Sequence, residues 1–262
     1  MKLLKNKCLP SFFIVGTDTN VGKTVISLLL MKFFFKQGFT PFYLKPLQTG
    51  CINALDKESD AKFIYEHIRE LRLTNPQDSI LYCFKEAKAP LFAARNELST
   101  IPLSDLIYKI NKSINDKSPV IIEGAGGLMV PIDSNSLIID ILSHIKVKTI
   151  VVGRAGLGTI NHCLLSIEAL KAKSIKPIGI ILSDPEGITS EEMIKENTEA
   201  IESFSNVKVL GVIKKIDDFL NISDEYFKIF HNIYPKLYQK RFFLLKTMFY
   251  KKFKINPFFY GL

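Results

Sequence analysis

A glycine-rich segment near the start of the chain has the residue types and spacing that bind phosphate. It reads G-T-D-T-N-V-G-K-T over residues 16–24, between a short apolar run and a segment with helical spacing. Backbone N–H groups of such a loop, with the positive end of the following helix, surround phosphate oxygens. Lys23 is then placed to reach the β- and γ-phosphates of a nucleotide, and the Thr24 hydroxyl to ligate Mg²⁺.

The segment differs by one residue from the usual G-x-x-x-x-G-K-[ST] pattern. Its first glycine, Gly16, comes one position early, and Thr17 stands where a glycine is expected. A structural turn without a ligand is the alternative, since Gly-Lys-Thr after a strand can arise by chance. The position between an apolar run and a helical pattern favours a phosphate-binding loop, or P-loop.

A carboxylate follows another apolar run. Residues 120–122 are Val-Ile-Ile, and Glu123 comes next, followed by G-A-G-G. A carboxylate at the tip of a strand suits the Mg²⁺ that accompanies a nucleotide. The alternative is that Glu123 only caps a turn whose glycines supply positive φ. Because a P-loop is already indicated, we favour the metal ligand.

A lysine stands near the end of a third apolar run. Lys45 lies in Y-L-K-P-L-Q-T-G over residues 43–50. In this position it would stabilise charge on a transferring phosphoryl group or on its nucleophile. The alternative is a solvated surface lysine, which is the usual environment of this residue type.

The elements that must position these residues alternate along the chain. Helical spacing of apolar residues covers residues 24–36, 59–72, 159–173 and 189–204. Six apolar runs occupy residues 12–15, 41–44, 120–122, 149–152, 178–182 and 207–210. Such runs, without polar alternation, indicate strands buried on both faces. We predict an α/β fold with a doubly wound, mainly parallel sheet, helices on both faces, and ligands beyond the carboxyl ends of the strands.

The positive charge of the chain is concentrated at its C-terminal end. Lys+Arg is 35 and Asp+Glu is 26, a formal net charge of +9. Eight of the cations and no acidic residue follow Glu225, so residues 1–225 hold 27 cations and 26 acidic residues. We therefore expect a domain at 1–225, a basic aromatic extension at 226–262, and no nucleic-acid or membrane partner for the domain. A non-enzymatic chain whose extension binds nucleic acid or membrane is an alternative.

The cysteines predict free thiols. Cys8, Cys51, Cys83 and Cys163 are far apart in the sequence and form no CxxC motif, which argues against a zinc cluster or a disulfide framework. The longest apolar run is also too short to span a bilayer. Both observations predict a cytoplasmic protein.

Taken together, the motifs resemble those of the ATP-dependent dethiobiotin synthetases. The chain contains G-T-D-T-x-V-G-K-T, then K-P-x-x-[ST]-G, then E-G-A-G-G, and later V-V-G followed by L-G-x-I-N-H. The resemblance covers roughly residues 10–215 and implies a P-loop NTPase-type fold and a homodimer with the substrate site at its interface. It also implies a ligase of biotin biosynthesis, with Mg²⁺ as cofactor and with 7,8-diaminopelargonate, CO₂ and ATP as substrates.

The resemblance assigns roles by motif position. Lys45 is implied as the catalytic lysine and Thr49 as a substrate-binding hydroxyl, while Thr24, Asp60 and Glu123 are implied as metal ligands. By itself Asp60 would be interpreted as a favourable charge at a helix N-terminus. The residues implied to bind ATP are Asn20, Val21, Gly22, Lys23, Thr24, Val25, Asp60, Glu123, Gly124, Ala125, Gly126, Ser183 and Asp184.

Two segments depart from the family pattern. The family recognises adenine with an asparagine after the fifth predicted strand, where this chain has Ser183 and Asp184. A later nucleotide segment, typically Ile-Pro after a Leu-Gly, is Val-Ile-Lys-Lys over residues 212–215. The resemblance therefore specifies phosphate chemistry more closely than base recognition.

The principal rival class is the partitioning and cofactor-assembly ATPases, which act as nucleotide-dependent switches. Their P-loop carries an additional lysine four residues before its second glycine. This chain has Asp18 at that position, which argues against the switch.

Overall fold

The computed structural model describes residues 9–231 and 233. Most of the predicted extension at 226–262 lies outside the described residues, as does Cys8. Among the described residues, no helix is both long enough and apolar enough to cross a membrane.

Seven parallel strands form one sheet in the order β3-β2-β4-β1-β5-β6-β7. Their bounds are β1 Phe12–Gly16, β2 Phe42–Thr49, β3 Ile80–Phe84, β4 Val120–Gly127, β5 Lys148–Arg154, β6 Gly179–Asp184 and β7 Val209–Lys214. The predicted parallel sheet is confirmed, and each of the six apolar runs overlaps one strand. The remaining strand, β3, was not predicted, although its sequence Ile-Leu-Tyr-Cys-Phe is a continuous apolar run; it lies at the sheet edge, and most of its residues are half buried.

Eight α-helices connect or follow the strands in the described part of the chain. They are α1 Lys23–Lys36, α2 Asp60–His67, α3 Pro90–Asn96, α4 Leu103–Asp116, α5 Ile138–Leu142, α6 Thr159–Ala172, α7 Glu191–Ser205 and α8 Lys228–His231. The four predicted helical segments correspond to α1, α2, α6 and α7, although α2 ends early and a 3₁₀ turn, Arg69–Leu71, follows it. Helix α4 was not predicted, even though its buried Leu106 and Ile110 have the helical four-residue spacing.

Side chains of the central strand alternate between two apolar cores. Phe12 and Ile14 of β1 pack in the core that contains α1 and α2. Phe13 and Val15 pack in the opposite core, which contains α4, α5, α6 and α7. The sheet is therefore covered by helices on both faces, as the absence of polar alternation predicted.

The strand order determines which loops meet. Strand β4 lies between β1 and β2, although it follows both of them in the chain. All of these strands are parallel, so their carboxyl ends lie at the same edge of the sheet. The P-loop after β1, Lys45 on β2 and Glu123 on β4 are brought together at this edge.

Candidate functional site

The loop between β1 and α1 is compact because glycine stands at position 16. A Cβ on Gly16 would lie 2.6 Å from the carbonyl oxygen of Asp18 and 2.8 Å from Lys23 Nζ. Lys23 Nζ donates to that same Asp18 carbonyl at 2.7 Å. The early glycine is therefore required by the close return of the lysine over the loop, and the next residue, Thr17, donates its N–H to the carbonyl of Val152.

The second glycine of the loop starts helix α1. Gly22 has φ of 94°, in the left-handed region that favours glycine, and Lys23 and Thr24 open the helix. Asn20 also has positive φ, while Val21 is buried beneath the loop. The backbone of residues 20–25 thus turns directly into the helix N-terminus, which is the geometry that a phosphate-binding loop needs.

Lys23 is a buried cation whose ammonium donates to a carbonyl group. Burial, with a further contribution from the positive charge of Lys45, lowers the pKa of Lys23 to about 8. The charged form of a lysine in this environment is strongly stabilised by an anionic ligand, because the attraction between opposite charges offsets the solvation lost on burial. Its place above the P-loop is therefore suited to phosphate.

Four side chains from four elements form a hydrogen-bonded cluster next to the loop. Lys45 Nζ lies 2.7 Å from Asp60 Oδ2 and 2.8 Å from Glu123 Oε1. The Thr24 hydroxyl lies 2.8 Å from Asp60 Oδ1 and 2.9 Å from the same Glu123 Oε1. We name Thr24, Lys45, Asp60 and Glu123 the central cluster.

The charges of the central cluster stabilise one another. Burial alone would lower the pKa of Lys45, but the adjacent carboxylates of Asp60 and Glu123 outweigh burial and raise it above its usual value. Burial likewise opposes ionisation of Asp60, yet Lys45 and the Thr24 hydroxyl hold the pKa of Asp60 below its usual value. At neutral pH the cluster therefore contains an ammonium ion and carboxylate oxygens in direct contact.

Tyr43 is a site residue that the sequence analysis missed. Its hydroxyl donates to Glu123 Oε2 at 2.9 Å, and its side chain is fully buried. It lies two residues before Lys45 on β2, so both side chains point to the same face of the strand. A tyrosine in a buried strand needs a hydrogen-bond partner for its hydroxyl, and this requirement could have indicated from the sequence that Tyr43 contacts a polar group.

Asp60 is held in place by residues that the sequence analysis also missed. Its backbone N–H donates to Gln48 Oε1 at 3.2 Å, and Gln48 in turn donates to the carbonyl of Thr49. Ser59 caps helix α2 by accepting a hydrogen bond from the N–H of Lys62. The carboxylate of Asp60 thus projects from the first turn of a capped helix.

The other predicted site residues occupy different positions around this edge. Thr49 is half buried at the end of β2, and the carbonyl of Gly124 accepts from Lys45 Nζ at 3.2 Å. Ala125 and Gly126 continue β4 beyond the central cluster, and Val25 lies in the first turn of α1.

Ser183 and Asp184 end β6 but face different neighbours. A Cβ on Gly22 would lie 2.6 Å from Ser183 Oγ, so Ser183 packs against the P-loop. Asp184 is buried and accepts the N–H of Thr189 at 3.2 Å within its own loop. The structure therefore brings Ser183 against the P-loop, whereas Asp184 organises the β6–α7 connection.

A cavity of about 350 Å³ opens beside the P-loop. The P-loop supplies Thr17 and Asp18 to its wall, the segment after β4 supplies Met129 and Val130, and α6 supplies His162. The cavity is large enough for a small substrate next to the loop.

The central cluster offers oxygen ligands that suit Mg²⁺. The Thr24 hydroxyl and the carboxylates of Asp60 and Glu123 are hard oxygen donors that converge within hydrogen-bond distance of one another. Mg²⁺ usually takes one or two carboxylates and completes its coordination with phosphate and water. Among the described residues, no group of three or more His, Cys, Asp or Glu side chains forms a cage for a metal ion. The residues therefore fit a metal that arrives with a nucleotide.

Comparisons with known proteins agree with this geometry. An AAA domain family model matches residues 10–223. The chain is 36% identical over 201 residues to the ATP-dependent dethiobiotin synthetase BioD of Lawsonia intracellularis. The matched region covers 76% of this chain and 85% of that protein. It is 34% identical over 229 residues to the enzyme of the same name from Lysinibacillus sphaericus strain C3-41, and this match covers 85% of this chain and 96% of that protein.

The fold also resembles a solved nucleotide complex. A putative plasmid partition protein from Borrelia burgdorferi B31 bound to AMPPNP superimposes with a TM-score of 0.56. The superposition covers 89% of this chain and 99% of that one, at 14% sequence identity. At this identity the likeness shows a shared fold and nothing about activity.

Proposed function

Because the chain belongs to the ATP-dependent dethiobiotin synthetase family, we propose that it converts 7,8-diaminopelargonate, CO₂ and ATP to dethiobiotin, ADP and phosphate. The enzyme is then an ATP-dependent ligase of biotin biosynthesis that closes a ring by forming C–N bonds. The observation that carries this proposal is the central cluster, in which Lys45 contacts both Asp60 and Glu123 beside the P-loop.

The proposed reaction proceeds in three steps. One amine of the substrate attacks CO₂ and loses a proton, giving a carbamate. A carbamate oxygen then attacks the γ-phosphorus of ATP, the bond to the β-phosphate oxygen breaks, and ADP leaves. The second amine finally attacks the carbonyl carbon of the mixed anhydride and loses a proton, while the bond from that carbon to the phosphate oxygen breaks; the ring closes and phosphate is released. Such a sequence requires alignment of the reactants and neutralisation of charge more than it requires a strong base.

We assign the phosphates to the P-loop. Residues 20–25 supply backbone N–H groups, and Lys23 neutralises the β- and γ-phosphates from above the loop. Ser183, which packs against Gly22, would contact the same end of the nucleotide. Asp184 would shape the base side through the loop that it organises.

We assign Lys45 to the reacting atoms. Its ammonium is fixed by two carboxylates at the strand edge, so it is preorganised as a cation for the carbamate oxygen and the transferring phosphoryl group. Thr49, four residues further along β2, is assigned to the substrate, and the cavity beside the P-loop provides space for the diamine. Asp18 on the cavity wall complements the positive charge of an amine.

We assign Mg²⁺ to Thr24, Asp60 and Glu123, and Tyr43 and Gln48 hold the two carboxylates in position. Bound there, the metal would offset the charge that develops on the β- and γ-phosphate oxygens. Gly124, Ala125 and Gly126 would approach the same phosphates from β4.

We also propose a domain division, an oligomeric state and a location for the protein. Residues 1–225 form the catalytic domain, residues 226–262 an extension, and two chains a homodimer with the substrate site at its interface. The match of the family model to residues 10–223 supports this division. The free thiols of Cys51, Cys83 and Cys163 support a cytoplasmic location.

A nucleotide-dependent switch of the partitioning class is less well supported. Its P-loop needs a lysine where this chain has Asp18, whose backbone carbonyl instead accepts a hydrogen bond from Lys23. The likeness to a partition protein extends to the fold only.

The decisive experiment measures ADP formation by the full chain with Mg²⁺, in the presence and absence of 7,8-diaminopelargonate and bicarbonate. We expect ADP release to depend on both, with one dethiobiotin detected by mass spectrometry per ADP. Equal ADP release without the diamine would contradict the synthetase and favour the switch.

A further inference from the structure

Two cysteines that are 32 residues apart in the chain meet at the end of β2. The Sγ atoms of Cys51 and Cys83 lie 3.4 Å apart. Cys83 Sγ also lies 3.4 Å from the carbonyl oxygen of Cys51. Cys51 is buried and Cys83 is half buried, so one member of the pair is accessible to a small molecule. We name Cys51 and Cys83 the thiol pair.

The backbone holds the thiol pair in contact. On the paired strands β2 and β3, Gln48 is the register partner of Cys83, three residues before Cys51. Just beyond the strands, the N–H of Cys51 donates to the carbonyl of Phe84 at 3.3 Å, and that of Gly50 to Glu86 at 3.1 Å. Since a disulfide has a sulfur separation of about 2 Å, the two sulfur atoms need to approach by little more than 1 Å.

The third described cysteine lacks this arrangement. Cys163 on α6 is fully buried, and its Sγ contacts the hydroxyl of Thr159 at 3.5 Å. Cys163 has no neighbouring thiol within hydrogen-bond distance in the described part of the chain. It therefore provides an internal reference for reactivity.

We propose that the thiol pair is an oxidation site at which a hydroperoxide converts Cys51 and Cys83 into an intramolecular disulfide. The sulfur of Cys83 attacks one peroxide oxygen and the O–O bond breaks. The other oxygen leaves with the thiol proton, as water or an alcohol, and Cys83 becomes a sulfenic acid. The sulfur of Cys51 then attacks the Cys83 sulfur, the S–O bond breaks, and water leaves with the Cys51 proton. The two thiols together lose two electrons, which the peroxide gains.

The surroundings of the thiol pair assign the order of these steps. Burial, with a smaller contribution from the contact with Cys83, raises the pKa of Cys51 to about 12. Burial also raises the pKa of Cys83, but there the contact with Cys51 opposes the increase. Cys83 is more exposed than Cys51, and its thiolate form is favoured by the contact with Cys51. Cys83 is therefore the attacking thiol, and Cys51 is the resolving thiol.

The bond would tie two parts of the site region together. Cys51 begins the loop that leads from β2 to Ser59, the cap residue of α2, while Cys83 lies on the edge strand β3. The proposal rests on the position of the sulfur atoms and does not depend on the reaction that the enzyme catalyses.

The test uses the full-length chain, reduced, desalted and treated with graded amounts of hydrogen peroxide. Remaining thiols are then alkylated in denaturant. Lys57, Lys62, Arg69 and Arg72 separate the two cysteines, so trypsin places them in different peptides. We expect a linked Cys51–Cys83 peptide, protection of two of the four cysteines from alkylation, and full reversal by dithiothreitol.

Three variants serve as controls. Cys83→Ser should leave Cys51 open to alkylation after the same treatment, whereas Cys8→Ser and Cys163→Ser should still form the linked peptide. The proposal is overturned if Cys51 and Cys83 remain as alkylatable as Cys163, or if Cys83 is oxidised to sulfinic acid without a linked peptide. If Cys83→Ser does not fold, the order in which the wild-type cysteines lose alkylation at increasing peroxide decides the question alone.

Discussion

At the scale of single residues, the central cluster is organised for chemistry more than for stability. Lys45 and Glu123 are almost completely buried, and a buried ion pair gains little stability after desolvation is counted. Its carboxylate oxygens nevertheless lie within 3 Å of both an ammonium and a hydroxyl group. Each member of the cluster therefore has a separable effect that substitution can measure.

Replacement of Lys45 by alanine removes the cation that we assign to the reacting atoms. We expect Lys45→Ala to lower the diamine-dependent kcat by roughly 10²- to 10³-fold, which is typical for loss of one charge-stabilising donor. Circular dichroism should show that the fold is retained. Lys195→Ala, an exposed lysine on α7, is the matched control and should keep wild-type turnover. A wild-type kcat in Lys45→Ala would remove this residue from the mechanism.

Tyr43 is expected to act through Glu123. Tyr43→Phe keeps the buried ring but removes the hydrogen bond to Glu123 Oε2, so the carboxylate is held less firmly. We expect the Mg²⁺ concentration for half-maximal activity to rise about tenfold, as for other residues that orient metal ligands. Mn²⁺ binding in the presence of ADP, followed by electron paramagnetic resonance, should weaken in parallel.

The matched control for Tyr43 is Tyr82→Phe. Tyr82 also donates to a carboxylate, that of Asp105, but at the edge strand β3. This variant should keep the wild-type Mg²⁺ dependence, and an equal change in both variants would contradict a positioning role for Tyr43.

At the scale of elements, the start of each helix decides where its functional group points. Helix α1 begins directly after Gly22, and α2 begins after Ser59 with Asp60 in its first turn. The first turns of these two helices therefore bring the Thr24 hydroxyl and the Asp60 carboxylate into hydrogen-bond contact. The local geometry of each helix start can be tested separately.

Gly22 is expected to tolerate no side chain. Gly22→Ala meets both the strain of φ at 94° and a contact of 2.6 Å with Ser183 Oγ. Gly38→Ala, at the other end of α1, meets only the strain of φ at 82°, because nothing lies within 4 Å. The strain should cost each variant about 1–2 kcal/mol in urea unfolding. We expect only Gly22→Ala also to lose MgADP binding by calorimetry, and retained binding would contradict the tight loop geometry.

The cap of α2 is expected to affect both stability and nucleotide binding. Ser59→Ala removes the acceptor for the N–H of Lys62 and should cost about 1 kcal/mol of unfolding free energy. Since Asp60 lies in the capped turn, the KM for MgATP should rise as well. Ser223→Ala removes a similar cap from the 3₁₀ turn Asp224–Phe227, away from the site, and should leave KM unchanged. A shift of KM in both variants would indicate a general loss of stability.

At the scale of the whole molecule, we expect stability and activity to depend on different parts of the described chain. The turn Asp224–Phe227 and α8 pack on α1, where the rings of Phe33 and Phe230 lie 5.6 Å apart. Phe33 is ten residues beyond Lys23, or roughly 15 Å along the helix axis. This contact supports the helix that carries the P-loop without reaching the site.

Phe230→Ala tests that separation. Removal of a fully buried ring should cost about 3–5 kcal/mol in urea unfolding. At a temperature where the variant is folded, its diamine-dependent kcat/KM should equal that of the wild type. Phe204→Ala, an exposed ring on α7, should change neither quantity. A loss of kcat/KM in Phe230→Ala would show that α8 affects the site.

Much of the fold was predictable because its signals are local. The run at residues 12–15 predicts a buried strand, and the G-K-T that follows predicts a loop and a helix start, since these residues are neighbours in the chain. Edge strand β3 and helices α3, α4 and α5 were not predicted. Strand β3 and helix α5 are each five residues long and almost entirely apolar, and runs this short do not distinguish a strand from a helical segment.

The amino-acid sequence was sufficient to single out the P-loop, Lys45 and Glu123 as candidate site residues and to indicate the family. Only the tertiary structure placed Tyr43 against Glu123 and Cys51 against Cys83, because these contacts depend on β2 lying between β3 and β4. Strand order results from the packing of both cores at once, and buried apolar runs resemble one another too closely to specify their neighbours. The chemistry of each side chain is therefore encoded locally, whereas its partner is decided by the assembled sheet.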